Sequence, residues 1–162
     1  MKRSARRTER RRAVHDDVAP RSLGPVLSFM RALWGVNHGL ESTSRRMKSR
    51  LGVSGPERMV VRLVGSFPGI SAGELAHIVR VHPSTLTGPL KRLSRRGLIA
   101  RREDPADARR ALFTLTPRGK AIDETRSGTV EAAVTAALGG RAPGDVRAAM
   151  AVLDALAREM ER

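Results

Sequence analysis

The chain has no cysteine and no tyrosine, and its aromatic residues are limited to Phe29, Trp34, Phe67 and Phe113. Without thiols there are no disulfides, no thiolate zinc site, no cysteine nucleophile and no thiol redox sensor. So few rings also argue against a stacking platform for single-stranded nucleic acid. No stretch approaches the ~18 uncharged apolar residues of a membrane span, which excludes a helical integral membrane protein. No apolar h-region follows the first residues, so no secretory signal is expected and the expected location is the cytoplasm, at the nucleoid. Catalytic nucleophile motifs, metal-ligand clusters, paired catalytic carboxylates and phosphate loops are all missing. Neither an enzyme nor a cofactor is expected.

Acidic residues are scarce as well. Sixteen Asp and Glu face 31 Lys and Arg in 162 residues, a net charge of +15. A balance this basic points to a polyanionic partner, nucleic acid before a membrane surface. The excess is uneven: residues 1–22 hold eight cations and three acids, residues 45–62 six and one, and residues 71–120 eleven and four. In residues 121–162 the sign reverses, with five cations against seven acids. One nucleic-acid face and one self-association end would give this distribution.

Residues 1–22 have little apolar content and read as a basic, flexible arm, either reaching a groove or merely solubilising. From Leu23 to Lys48, Val26, Met30, Leu33, Asn37, Leu40, Ser44 and Met47 recur at alternating steps of four and three. That is one helical stripe, widened by Leu27 and Trp34. Ser54 and Glu57 have capping-box spacing and Pro56 suits a first turn. They open a second helix with Met59, Val60, Leu63 and Val64 as its buried face, stopped by Ser66-Phe67-Pro68-Gly69.

Ser71 and Glu74 repeat the capping-box spacing ahead of a short helix to about Val79. After a break at Arg80-Val81-His82, with His82 as cap, Pro83 opens a helix that runs to Arg96 and ends at Gly97. Leu86, Leu90 and Leu93 form its apolar side, and Ser84, Thr85, Thr87, Lys91, Arg92 and Arg95 the other. A short helix, a tight turn and a helix of this two-sided kind make a helix-turn-helix pattern. Gly88-Pro89 interrupts it, and Pro89 has no N–H for the Thr85 carbonyl, so a kink is expected unless the first turn tolerates it. Leu98–Arg102 and Ala111–Leu115 read as two short strands around a polar tip, Glu103–Arg110. Thr116-Pro117 then caps a helix to about Leu138. A last helix, about Pro143 to Met160, carries Val146, Met150, Leu153, Leu156, Ala157 and Met160, a seam best matched by a dimer partner.

Residues 70–120 resemble the winged helix-turn-helix of the MarR (multiple antibiotic resistance regulator) family. The shared elements are Pro83-Ser84-Thr85-Leu86-Thr87, the run from Leu93 to Leu98, Asp104-Pro105 with Asp107 and Arg109, and Leu115-Thr116-Pro117 with Gly119. The flanking helices resemble the family layout over about residues 23–162. The resemblance implies a mainly α (α+β) fold: a winged helix-turn-helix with a two-stranded wing and terminal helices forming a dimerisation region. The corresponding division is an arm at 1–22, a dimerisation helix at 23–52, a DNA-binding domain at 53–116 with recognition helix 83–96 and wing 98–115, and dimerisation helices at 117–162.

It further implies a homodimeric, sequence-specific regulator of transcription, most simply a repressor, on near-palindromic double-stranded DNA. In the family the recognition helix enters the major groove and the wing arginine the minor groove. Many members release DNA when a small, often phenolic, anion binds. Ser84, Thr85 and Thr87 are then candidates for phosphate or base contact, or else only cap and solvate the helix. Lys91, Arg92 and Arg95 suit phosphates, or form a solvated face. Arg109 is the candidate minor-groove residue, positioned by a charge-assisted bond from Asp107, with Arg110 as substitute. Of Arg101 and Arg102, alternating on a strand, at most one faces DNA well. Trp34, His38, Met59 and Arg62 are candidates for an effector pocket for an anionic or aromatic molecule, or are plain core. His38 and Glu41 stand three residues apart, which is too few ligands for a metal site. The competing function is a DNA-architectural winged helix without sequence choice.

Overall fold

A computed structural model describes residues 23–160, so the basic arm at 1–22 lies outside the described residues. The chain divides into two compact units, Met1–His38 and Gly39–Arg162. Helix α1 spans Pro25–Leu51, against a predicted Leu23–Lys48, and Gly52 follows it at φ +74°, a left-handed turn that suits glycine. Of the predicted stripe Met47 is buried, whereas Val26, Met30 and Leu40 are exposed.

Helix α2 (Gly55–Ser66) starts as its sequence predicts. Ser54 is the N-cap, and the reciprocal bonds between Ser54 and Glu57 are both formed. Its buried face differs from the predicted one: Met59 is 46% exposed, while Val60, Val61 and Val64 are buried. Together with Glu57 these fall at i, i+3, i+4 and i+7, a single helical face. Strand β1 (Ile70–Ser71) leads directly into α3 (Ala72–Val79), whose capping box of Ser71 and Glu74 is also complete. The turn after α3 places Arg80 in the left-handed region, φ 53°. Helix α4 (Pro83–Arg95) then begins, with His82 as N-cap.

α4 runs unbroken through Pro89. Pro89 does not end the helix. Gly88 removes the side chain that would crowd the proline ring from the preceding residue, leaving the missing donor and the close approach of the ring to the Thr85 carbonyl as the remaining costs. Leu86, Leu90 and Leu93 turn inward and are buried, and Gly97, at φ +65°, ends the helix.

The wing is the expected two-stranded hairpin, with two differences of extent. The sheet has three antiparallel strands, in the order β1-β3-β2, because Ile70 pairs with Phe113 and Ser71 with Leu112. The hairpin is also longer than predicted: β2 spans Ile99–Asp104 and β3 Asp107–Leu115. The predicted tip at Glu103–Arg110 shrinks to Pro105-Ala106, closed by the Ala106 N–H donating to Asp104 Oδ1 at 2.9 Å. Arg109 and Arg110 therefore lie on a strand.

The helix predicted from Thr116 to Leu138 is two helices, α5 (Pro117–Glu124) and α6 (Val130–Leu138). Gly128 takes φ +68° in the break and Thr129 caps α6. The break is braced from α2. Arg58, 2% exposed, donates to the carbonyls of Ile122, Asp123 and Thr125, and through Nε to Glu131 Oε1 at 2.8 Å. These are the carbonyls an ending helix leaves unpaired, and a buried guanidinium satisfies them. Burial pushes the Glu131 carboxyl up, but its own backbone N–H and Arg58 outweigh that and hold it low. Helix α7 (Pro143–Met160) follows, with no buried residue; Met150 and Leu153 are exposed.

The core lies between α2, α3, α4 and the sheet, around Val61, Val64, Leu75, Leu93, Ile99 and Phe113. α5 is fixed to it at Gly119. The Leu98 carbonyl accepts the Thr116 N–H at 3.1 Å, and a Cβ at Gly119 would lie 1.9 Å from that carbonyl oxygen. Gly119→Ala should therefore lower unfolding free energy by about 1–3 kcal/mol, the usual overpacking cost, in urea titrations followed by circular dichroism. Gly144→Ala, which meets nothing within 4 Å, should not lower it.

Candidate nucleic-acid interface

The face of α4 opposite the three leucines is exposed at Ser84, Thr85, Thr87, Lys91, Arg92 and Arg95. The sequence pattern that buries the leucines thus presents every predicted recognition residue to solvent. At the N-terminus, Ser84 Oγ lies 2.8 Å from His82 Nδ1, and the same nitrogen accepts the Ser84 N–H at 3.3 Å. His82 shapes the start of the helix and engages the Ser84 hydroxyl. Thr87 Oγ1 reaches the Pro83 carbonyl only at 3.5 Å, a weak bond that a better acceptor can replace.

The cations of α4 fall into two groups. Arg92 Nε donates to Glu57 Oε1 at 2.8 Å, and Arg96 Nη1 stands 3.9 Å from Glu57 Oε2. Lys91 and Arg95 have no acidic partner among the described residues. Arg92, a candidate phosphate ligand, is held against the first turn of α2 while its side chain stays half-exposed.

Glu57 is the centre of that arrangement. It is 1% exposed, and Oε2 also accepts from the Ser54 N–H at 2.9 Å and Lys48 Nζ at 3.0 Å. Burial alone would raise its pKa, but the Ser54 N–H, Arg92 and Lys48 together bring it from 4.5 to about 2. The sequence marked Glu57 only as a capping residue. Its place on the stripe with Val60, Val61 and Val64 was the available sign that it turns inward.

In the wing, Asp107 Oδ1 accepts the backbone N–H of Arg109 at 3.0 Å. The expected bond exists, but it fixes the main chain of Arg109 and leaves the guanidinium without an acid among the described residues. Arg110 behaves differently. Its guanidinium reaches Ser71 Oγ at 3.4 Å and Glu74 Oε2 at 3.5 Å, with Asp104 Oδ2 at 3.8 Å. Bonds from Ser71, more than from Arg110, hold the Glu74 carboxyl below its ordinary range. Arg110 thus ties the wing to the start of α3.

Trp34 and His38 belong to the unit Met1–His38, and Met59 and Arg62 to Gly39–Arg162. Arg62 Nη1 pairs with Asp123 Oδ1 at 2.7 Å. No group of three or more metal-ligating side chains occurs among the described residues, and no helix among them is long and apolar enough to cross a membrane.

Residues 51–110 match the model of the MarR family. An HTH-type transcriptional repressor of Mycobacterium tuberculosis is 34% identical over 85 residues, which are 52% of this chain and 61% of the relative. The chain thus spans about three fifths of that curated relative. Among solved structures, the PcaV transcriptional regulator of Streptomyces coelicolor, in complex with its natural ligand, has a TM-score of 0.67 at 20% identity. The match covers 85% of this chain and 96% of that one. The S. aureus MepR–DNA complex also gives 0.67, at 15% identity over 82% and 97%. At these identities the TM-scores show a shared fold alone.

The Glu57 cluster has a measurable pH signature. A carboxyl whose pKa falls on folding adds stability above its unfolded value, and that stability is lost as pH drops through the folded value. Wild-type stability should decline between about pH 5 and pH 2. Glu57→Gln should remove part of that slope and cost about 1–3 kcal/mol at pH 7, the range for a buried bond to a charged group. Thermal melts across the pH series measure both. An unchanged slope would mean that Glu57 is not the titrating group.

Proposed function

We propose that the chain is a member of the MarR family, whose model matches residues 51–110, and that the protein is a non-catalytic, sequence-specific regulator of transcription on double-stranded DNA, acting as a repressor in the cytoplasm. The observation that carries this reading is the pairing of an exposed Ser/Thr/Lys/Arg face on α4 with a wing arginine whose main chain is fixed and whose guanidinium has no acid beside it. Ser84, Thr85 and Thr87 suit close approach to the major groove, and Lys91 and Arg95 suit flanking phosphates. Arg109 suits the negative potential of a narrow minor groove. Arg92 contributes mainly by bracing the helix on Glu57, and Arg110 by bracing the wing on Glu74.

The working unit in this reading is a homodimer. Its support is the apolar surface left open on α1, α6 and α7, including Met30, Leu40, Val134, Met150 and Leu153. A two-fold dimer would span half-sites about 10 bp apart on a near-palindrome. Any small anionic effector that used Arg62 would have to compete with Asp123 for its guanidinium. The net charge of +15 favours a second reading, a winged helix that binds any duplex through phosphate attraction.

Fluorescence anisotropy with DNA from upstream of the protein's own gene, beside random duplex at about 150 mM salt, separates the two. The regulator should prefer one duplex by roughly 10³ or more, whereas equal, steeply salt-dependent binding favours the architectural reading or an operator elsewhere, which selection from a random library decides. Arg109→Ala should weaken binding to the preferred duplex by about 1–3 kcal/mol. Sedimentation at micromolar concentration should show a dimer, and a monomer would sink the two-fold arrangement.

A further inference from the structure

The corner between α4 and the sheet contains a cleft of 610 Å³ whose lining includes Lys91 and Arg95 from the helix and Arg101 from β2. Leu90 and Phe113 contribute apolar lining to it. No Asp or Glu lines the cleft, and none of the three cations has an ion-pair partner among the described residues. Elsewhere nearby the pattern is the opposite: Arg92 and Arg96 face Glu57, and Arg110 faces Glu74 and Asp104.

Strand alternation explains why Arg101 is there and Arg102 is not. Arg101 pairs across the hairpin with Phe113, and Ile99 with Leu115, so residues 99 and 101 share the face that packs on the helices. Arg102 belongs to the other face, where its Nη2 lies 3.7 Å from the position of a Cβ on Gly69. Three unneutralised cations around one concavity repel one another unless an anion enters. Thr87 and Ser94 add hydroxyl donors to the lining.

We propose that this cleft is a phosphodiester clamp, in which Arg101 joins Lys91 and Arg95 in holding one DNA backbone phosphate per protomer. The proposal rests on the DNA-binding reading above and adds to it a residue from the sheet. The duplex is the natural source of the phosphate, because the cleft is continuous with the recognition face through Thr87 and Lys91. A backbone contact fixes the orientation of the helix on the duplex and carries no sequence information. Losing it should therefore weaken all sequences alike.

The test is a salt series of anisotropy titrations on upstream and random duplex with wild type, Arg101→Ala, Arg101→Lys and Arg102→Ala. Arg101 is exposed, so these changes leave the core intact. Arg101→Ala should weaken binding severalfold and equally on both duplexes, and lower the slope of log K against log salt by about 0.9 per bound protomer. Arg101→Lys should keep the slope, and Arg102→Ala should change it less than Arg101→Ala. An unchanged slope in Arg101→Ala, or the same loss in Arg101→Lys, would overturn the clamp even if wild type is selective. Conversely, a wild type without preference between these duplexes that still shows the Arg101 slope change would keep the clamp and count against the sequence-specific reading, which a random-library selection then decides. Failure of wild type to bind either duplex overturns both.

Discussion

Two adjacent opposite charges, Glu57 and Arg58, are buried in the first turn of α2, and the placement of neighbouring elements depends on them. Withdrawing a charge from water costs several kcal/mol unless partners replace the solvent. Glu57 finds its partners in Lys48 at the end of α1, the Ser54 N–H, and Arg92 on α4. Arg58 finds its own in the carbonyls that end α5 and in Glu131 at the start of α6. Breaking either set leaves a charge stranded, so one helical turn fixes both the recognition helix and the helices after the wing. Apolar packing by Val61, Val64 and Leu93 drives the elements together; the charges select among the ways they can meet.

Features governed by neighbours in sequence were legible before the structure. Both capping boxes, the Leu86/Leu90/Leu93 stripe, the Gly97 stop and the Thr116-Pro117 start follow from spacings of a few residues. The same holds for the exposed recognition residues, because burying three leucines decides where the other side of the helix faces. Contacts between distant segments were not legible. β1 exists only because Phe113 and Leu112 arrive beside Ile70 and Ser71. The break between α5 and α6 needs Arg58, some 65 positions away, to replace the helical bonds. The sequence puts Arg109 ahead of Arg110 as the wing contact, but it does not show what separates them, that Arg110 meets Ser71, Glu74 and Asp104.

That separation bears on how the net charge should be read. A formal charge of +15 counts every cation alike, yet Lys48, Arg58, Arg62, Arg92, Arg96 and Arg110 already face acids or carbonyls within the protein. Their fields are largely cancelled at short range, and their side chains are committed to internal geometry. Lys91, Arg95, Arg101, Arg102 and Arg109 have no such partners among the described residues. All five lie on the recognition helix or the wing hairpin. The acids Glu57, Glu74 and Asp104 thus sort the arginines as much as they neutralise them, by drawing particular guanidinium groups into structural roles. Other cations without an acidic partner among the described residues, such as Arg31, Arg118, Lys120 and Arg147, lie outside α4 and the wing hairpin. Within those two elements, binding to a polyanion should accordingly depend on the five unpartnered residues more than on Arg92 and Arg110.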